Sequence, residues 1–600
     1  MIQKRKVLSL GACLLIVGLI ASIISGCAGG GGNGGDGNGD GDDTPQYGGV
    51  FTYMLAADPV GWDDAITPHY NCVGGVGGAQ QCLWSGDWAK GIAGGYGAND
   101  CTWLLPGEIN RLDNKTGYIA ESYEIHDDYL IFDLRDGVLW HDKYPCNGRE
   151  VTADDVVFSL ERQMTLDTAY LKANYPLVAA AMDVYKVDED TVRIDCDSAQ
   201  MPELLSLIDF MYIYPQDAVE LYGDLNAWDT VIGTGPFTLE EYVEGSYLDF
   251  EKNPDYWGTY PIIGSPSDGD QLPYLDGYTV RIVPDPSVQD SLFRTGQLDI
   301  LACDYDRAQA LMDLTDVNYI KYFTQGGKAI LCMRIDQEGQ PWADKRVRQA
   351  MQLAIDNQQM VDELYGGQGE RLYWPVGPSD EYAGAYVPLE DLEDDTFEVL
   401  PGQTISVADL FGYDLELAQD LMAAAGYEEG FEAEVWVWDY YLYIDQLQVA
   451  KNMLEDINVT ITINSVDYAT ISMIFVFRNY EEMLYGSMSG VGTYFKGINW
   501  SGTGMWNQGY INDPYLNDVR DQMLAAYPDE AAVDQIHAEM IPYLLEQCYV
   551  IQLCGQDSYR FWWPWVKNYS GEGSIGYYKG YNSFLQYIWI DEELKEDMGY

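Results

Sequence analysis

GYIAESYEIHDDYLIFDLRDGVLWHDKYPCNGREVTADDVVFSLERQ, residues 117–163, holds several independent local signals that agree on one arrangement. Glu121–Ile125 and Tyr129–Leu134 are β-rich runs parted by the turn pair Asp127-Asp128, and Asp136-Gly137 is a second turn ahead of Val138-Leu139-Trp140. Thr152 stands as an N-cap with Asp154 and Asp155 in the first turn, where negative charge suits the helix dipole. Val156, Leu160 and Met164 then recur every four residues and give the helix one apolar face. The order is strand, hairpin, strand, turn, helix.

A chain of 600 residues exceeds what one core usually organises, so at least two domains are expected. Its 47% hydrophobic and 14% aromatic content is that of a globular body. The net charge of −64 disfavours nucleic acid and anionic membrane surfaces as partners. Most of these carboxylates read as a solvated surface, of the kind a saline habitat would also select.

The amino terminus sets the compartment. Lys4-Arg5-Lys6 is a positive n-region, Val7 to Ile24 an apolar run, and Ile24-Ser25-Gly26-Cys27 places small residues before a cysteine. This resembles the bacterial lipobox, which implies removal of residues 1–26 as a lipoprotein signal peptide and lipidation of Cys27. The alternative is an uncleaved membrane anchor; on either reading the body lies outside the cytoplasm. Residues 27–46 read as a Gly/Asp-rich tether, flexible and kept extended by its aspartates. The G-x-G-x-x-G match at Gly29, Gly31 and Gly34 follows no strand and has no meaning as a dinucleotide loop.

Eleven cysteines less Cys13 and Cys27 leave an odd nine, so at least one thiol is expected unpaired or paired between chains. Cys72, Cys82 and Cys101 cluster in a Gly-rich segment where a disulfide or buried thiols are both open. His69, His126, His141 and His537 are scattered and no C-x-x-C occurs, so neither a metal site nor a cofactor is expected.

Ala120-Glu121-Ser122, Asp127-Asp128, Leu134-Arg135, Gly137-Val138, Trp140-His141-Asp142 and Asp155-Val156-Val157-Phe158-Ser159-Leu160-Glu161-Arg162 occur in an order that resembles the signature of the extracellular solute-binding proteins, family 5. These are the oligopeptide- and dipeptide-binding-like substrate-binding lipoproteins of ABC transporters. Ile232-Gly233-Thr234-Gly235-Pro236-Phe237 with Asn253-Pro254-Asp255-Tyr256-Trp257-Gly258 is a second mark, assigned to folding because glycines permit a tight path that Pro236 fixes. Val347-Arg348-Gln349-Ala350 with Ala354-Ile355-Asp356, and Tyr413-Asp414 through Ala425-Gly426-Tyr427, extend the resemblance over most of residues 47–590.

The resemblance implies a two-lobed, periplasmic-binding-protein-like α/β fold of type II, in the large peptide-binding class, with an extra subdomain in the first lobe. The implied division is a first lobe at 47–304 with an inserted subdomain at about 68–195, a second lobe at 305–555, and a return to the first lobe at 556–600. Residues 68–107 and 379–410 depart from the family pattern. The first reads as a loop covering a site or a surface excursion held by a disulfide. Asp344 to Leu364 reads as one helix with Lys345, Arg346 and Arg348 on its wet face.

No H-E-x-x-H, G-x-S-x-G or phosphate loop is present, so no catalytic residues are assigned and the chain is not expected to be an enzyme. The resemblance places ligand-facing loops at Asp439, Tyr440 and Tyr441 and at Gly486 to Phe495, which includes Met488, Tyr494 and Phe495; Trp62 lies in a loop near the cleft. Peptide-binding members carry a G-W-x-x-D-Y-like motif whose aspartate holds the peptide ammonium. This chain has Met488 near the tryptophan position and no acid between Tyr485 and Asp513. Trp500, Trp506, Tyr440 and Tyr494 could instead stack on sugar faces or a hydrophobic ligand. The implied partners are a peptide- or oligosaccharide-class solute and the permease and ATPase subunits, for a monomer held to the outer face of the cytoplasmic membrane by its lipid. Readings from other classes are a secreted carbohydrate-active enzyme and a structural surface lipoprotein.

Overall fold

The computed structural model describes residues 44–67, 73–94, 101–104, 111–314, 316–323, 330–378, 382–486, 507–576 and 580–600. Cys27 and the leader and tether up to residue 43 lie outside the described residues. Pro45–Tyr600 forms one compact unit, to which all the elements below belong.

The opening stretch folds as its local signals require. Ala120–Ile125 pairs antiparallel with Tyr129–Leu134, which pairs with Thr191–Cys196 and through it with Met182–Lys186, giving a four-stranded sheet. Helix Ala153–Thr165 packs on that sheet, and Thr152 and Asp155 form a reciprocal capping box at its start. A second sheet runs in the order Val50–Leu55, Gly277–Ile282, Tyr247–Lys252, Phe237–Val243, with only the first pair parallel.

The glycines of the 232–237 motif let two backbones meet. A Cβ at Gly233 would lie 1.8 Å from the Ala79 carbonyl oxygen, and one at Gly235 would lie 2.5 Å from that of Gly78. Asn253 closes the loop, its side-chain amide donating to the Gly235 carbonyl at 3.0 Å and its backbone N–H to that of Pro236 at 2.8 Å. His141 pins the other side. Its Nδ1 accepts from the Gly233 N–H at 3.3 Å and its Nε2 donates to the Gly235 carbonyl at 3.1 Å. Only the neutral Nε2–H tautomer does both, and burial pushes the ring down from 6.5 to about 4. The neutral ring therefore contributes stability fully above pH 6.5 that is lost as pH falls through about 4, worth ~3 kcal/mol at about 1.4 kcal/mol per unit. Denaturant titrations at pH 7 and pH 4 should show this increment as a difference between the protein and His141→Asn. An unchanged gap between the two curves would contradict it.

A third sheet sets Gly555–Trp562 between Ile300–Cys303 and Asn318–Phe323. The fourth has five strands in the order Val459–Val466, Phe431–Trp438, Met483–Tyr485, Ile330–Met333, Val550–Gln552. Phe431–Trp438, helix Tyr441–Leu454 and Val459–Val466 make a βαβ unit with parallel register. Among the described residues no helix is long and apolar enough to cross a membrane.

Three expectations are corrected. The described residues of 68–107 are no surface excursion: Trp84, Trp88 and Trp103 are at most 1% exposed. Trp84–Gly86 pairs with Lys115–Gly117, and Trp88 stacks on Tyr587 at 5.0 Å. Asp344 to Leu364 is two helices, Lys345–Leu353 and Asn357–Tyr365, because Asp356 caps the second by accepting from the Gln359 N–H. Arg348 is buried, donating to the Trp342 and Ala343 carbonyls of the preceding turn and to the distant Gln547 carbonyl. Within 379–410, residues 379–381 lie outside the described residues, and the rest includes a short 3-10 helix, Leu389–Leu392, a hairpin, Thr396–Leu400 with Gln403–Ser406, and helix Val407–Leu410. Cys146, Cys196, Cys303, Cys332, Cys548 and Cys554 are free buried thiols, and Cys82 and Cys101 are also buried.

Candidate functional site

Three parallel strands of the five-stranded sheet, Phe431–Trp438, Val459–Val466 and Met483–Tyr485, end along one edge. Carboxyl ends of parallel strands are where α/β sheets present ligand groups, because the connecting segments splay apart there. Aromatic side chains gather at this edge. Trp438 stacks on Tyr440 at 4.7 Å and 16° and meets Tyr468 at 5.0 Å. Tyr443 packs edge-on against Trp438, Tyr440 and Tyr485 at 5.9, 5.4 and 5.8 Å.

Local backbone bonds hold the cluster. The Asp439 N–H donates to the Val466 carbonyl at 2.7 Å, tying two strand ends, and the Tyr443 and Ile444 N–H groups both donate to the Tyr440 carbonyl, which starts helix Tyr441–Leu454. Gln446, buried beneath, accepts from the Tyr485 hydroxyl and donates to the Cys554 carbonyl at 2.5 Å. Burial raises the Tyr440 and Tyr441 hydroxyls above their usual range, so both remain protonated donors at neutral pH. The Tyr441 hydroxyl donates to the Asp304 carboxylate, which also caps helix Tyr305–Met312. Tyr441 thereby links the aromatic edge to the sheet that holds Ile300–Cys303.

Of the nine ligand-facing residues expected from the sequence, Asp439, Tyr440 and Tyr441 come together here: Asp439 and Tyr441 are exposed and Tyr440 is half-buried. Trp62 sits apart, 7% exposed, edge-on to Tyr242 at 5.0 Å and against Gly75. Met488, Tyr494, Phe495, Trp500 and Trp506 lie outside the described residues. Sequence reasoning passed over Trp438 and Tyr468, although each stands at or just past the end of a strand, the position that signals such an edge. Among the described residues no group of His, Cys, Asp and Glu could hold a metal ion.

Comparison with known structures defines the class. The fold superposes on the ABC transporter-associated periplasmic binding protein DppA from Helicobacter pylori in complex with the peptide STSA, at a TM-score of 0.68 and 18% identity over 91% of this chain and 99% of that one. It superposes equally, at 19% identity over 90% and 99%, on the periplasmic binding protein AgaA from Agrobacterium in complex with agropinic acid. The fold is thus the two-lobed, mixed α/β fold of the periplasmic binding proteins. Residues 116–518 match the model of the bacterial extracellular solute-binding proteins, family 5, and the chain belongs to that family. Curated relatives include heme-binding protein A of Haemophilus influenzae, 28% identical over 53% of this chain and 55% of that one. The dipeptide-binding protein of Escherichia coli is 28% identical over 53% and 56%. The chain spans about half the length of these curated relatives.

Proposed function

We propose that this chain is the solute-capturing component of an ABC importer, without enzymatic activity of its own. It binds a peptide-like or other small organic solute and hands it to a permease driven by an ATPase. Its first lobe spans 47–304 and its second 305–555, with 556–600 returning to the first, and Cys27 carries the lipid that holds it outside the cytoplasmic membrane. The observation that supports this most directly is the aromatic edge of Trp438, Tyr440, Tyr443 and Tyr468, which offers flat apolar area with hydroxyl donors beside it. Such surfaces bind organic solutes through area and orient them through a few polar groups. Membership of a solute-binding family accords with it.

The Trp438–Tyr440 stack also favours a second reading, in which a sugar face takes the place of a peptide side chain. Native purification followed by mass spectrometry of the retained solute, then calorimetry with short peptides and with oligosaccharides, separates the two. Tyr440→Ala should weaken the bound class at least about tenfold, ~1.4 kcal/mol, while leaving the melting transition in place. Unchanged affinity in that variant, or no solute from either panel, would sink the assignment of this edge.

A further inference from the structure

Arg111, just past the first segment that departs from the family pattern, meets both a distant helix and the second such segment. Arg111 heads the short turn Leu112–Asn114, and Lys115–Gly117 behind it is fastened to Trp84–Gly86, with the Lys115 ammonium on the buried Asp209 carboxylate. Across from it stands helix Glu530–Glu546, which packs on helix Pro514–Ala526 and leads into the five-stranded sheet through Val550–Gln552. Glu530 and Asp534 lie four residues apart on one face of that helix. Arg111 Nη2 donates to Asp534 Oδ2 at 2.6 Å, and Nη1 lies 3.7 Å from Glu530 Oε2. The Leu112 N–H donates to Glu530 Oε1 at 3.4 Å. The guanidinium lies 5.6 Å from the centre of the Tyr382 ring, which belongs to the second departing segment.

We propose that Arg111 is a clasp between the two halves of the molecule, holding them closed through Asp534 and Glu530. The clasp goes beyond solute capture and acts without solute present, so its test is separate from any binding assay. Solution scattering and hydrogen exchange are compared for the mature protein, Arg111→Ala, Asp534→Asn and the exchanged pair Arg111→Asp with Asp534→Arg, with no solute added. The expected result is a larger radius of gyration in both single variants and amide exchange about tenfold faster at Leu112–Lys115 and Glu530–Asp534, as loss of a charged hydrogen bond implies. The exchanged pair should restore both readouts. If Arg111→Ala fails to fold, Arg111→Lys, which keeps the charge but not the forked geometry, should show the same changes in smaller degree. Scattering and exchange indistinguishable from the parent in every folded variant, or opening that the exchanged pair does not reverse, would overturn the clasp.

Discussion

Arg162→Ala is expected to cost ~3–5 kcal/mol of stability, because it leaves buried carboxylates without their cation. Arg162 Nη2 lies 2.5 Å from Asp63 Oδ2, and Asp63 and Asp64 are at most 1% exposed. Asp63 is otherwise held by the Ala65 and Leu225 N–H groups, and Asp64 by the Tyr212 N–H. Burial, with the neighbouring Asp63, pushes the Asp64 carboxyl up to about 7. A raised carboxyl contributes stability that is full below its unfolded value near 3.8 and lost as pH rises through about 7. Removing Arg162 raises Asp64 further, so the variant should suffer more at pH 8 than at pH 6. Denaturant titrations at those two values measure the difference, and Asp63→Asn in the same background should recover part of it. A loss below about 1 kcal/mol at both values would show that the pair is dispensable.

The second large effect belongs to Trp84. Its fully buried ring packs edge-on against Tyr123 at 5.0 Å and Phe132 at 5.6 Å, joining the Gly-rich segment to the hairpin that opens at Ala120. Trp84→Ala should cost ~3–5 kcal/mol by leaving a cavity under that hairpin. Trp84→Phe should cost much less, since the indole N–H makes no hydrogen bond among the described residues and the smaller ring buries no unsatisfied donor. Equal losses in the two variants would mean that the hairpin does not rest on this ring.

What could be read from sequence was what local chemistry decides. The 120–134 hairpin and the helix after Thr152 follow from alternation, turn residues and a cap, each acting over a short span of chain. The burial of Trp88 does not, because the ring it stacks on, Tyr587, lies almost five hundred residues away and the segment has no period of its own. Arg348 likewise sits where helical spacing would put a solvated charge, and the Gln547 carbonyl, brought in by the tertiary fold, joins those of Trp342 and Ala343 in satisfying it. At the candidate site, Tyr440 and Tyr441 were legible through a family loop position. Trp438 and Tyr468 were not, since sheet order alone places the ends of their strands together.

The sheet built around Gly555–Trp562 has a consequence for biosynthesis. Its two flanking strands, Ile300–Cys303 and Asn318–Phe323, leave the ribosome more than two hundred residues before the strand that joins them. Until then both present unpaired edges, open to pairing with another nascent chain. A chain stopped before residue 555 would keep those edges permanently, so a truncated product should aggregate rather than survive as a smaller folded protein.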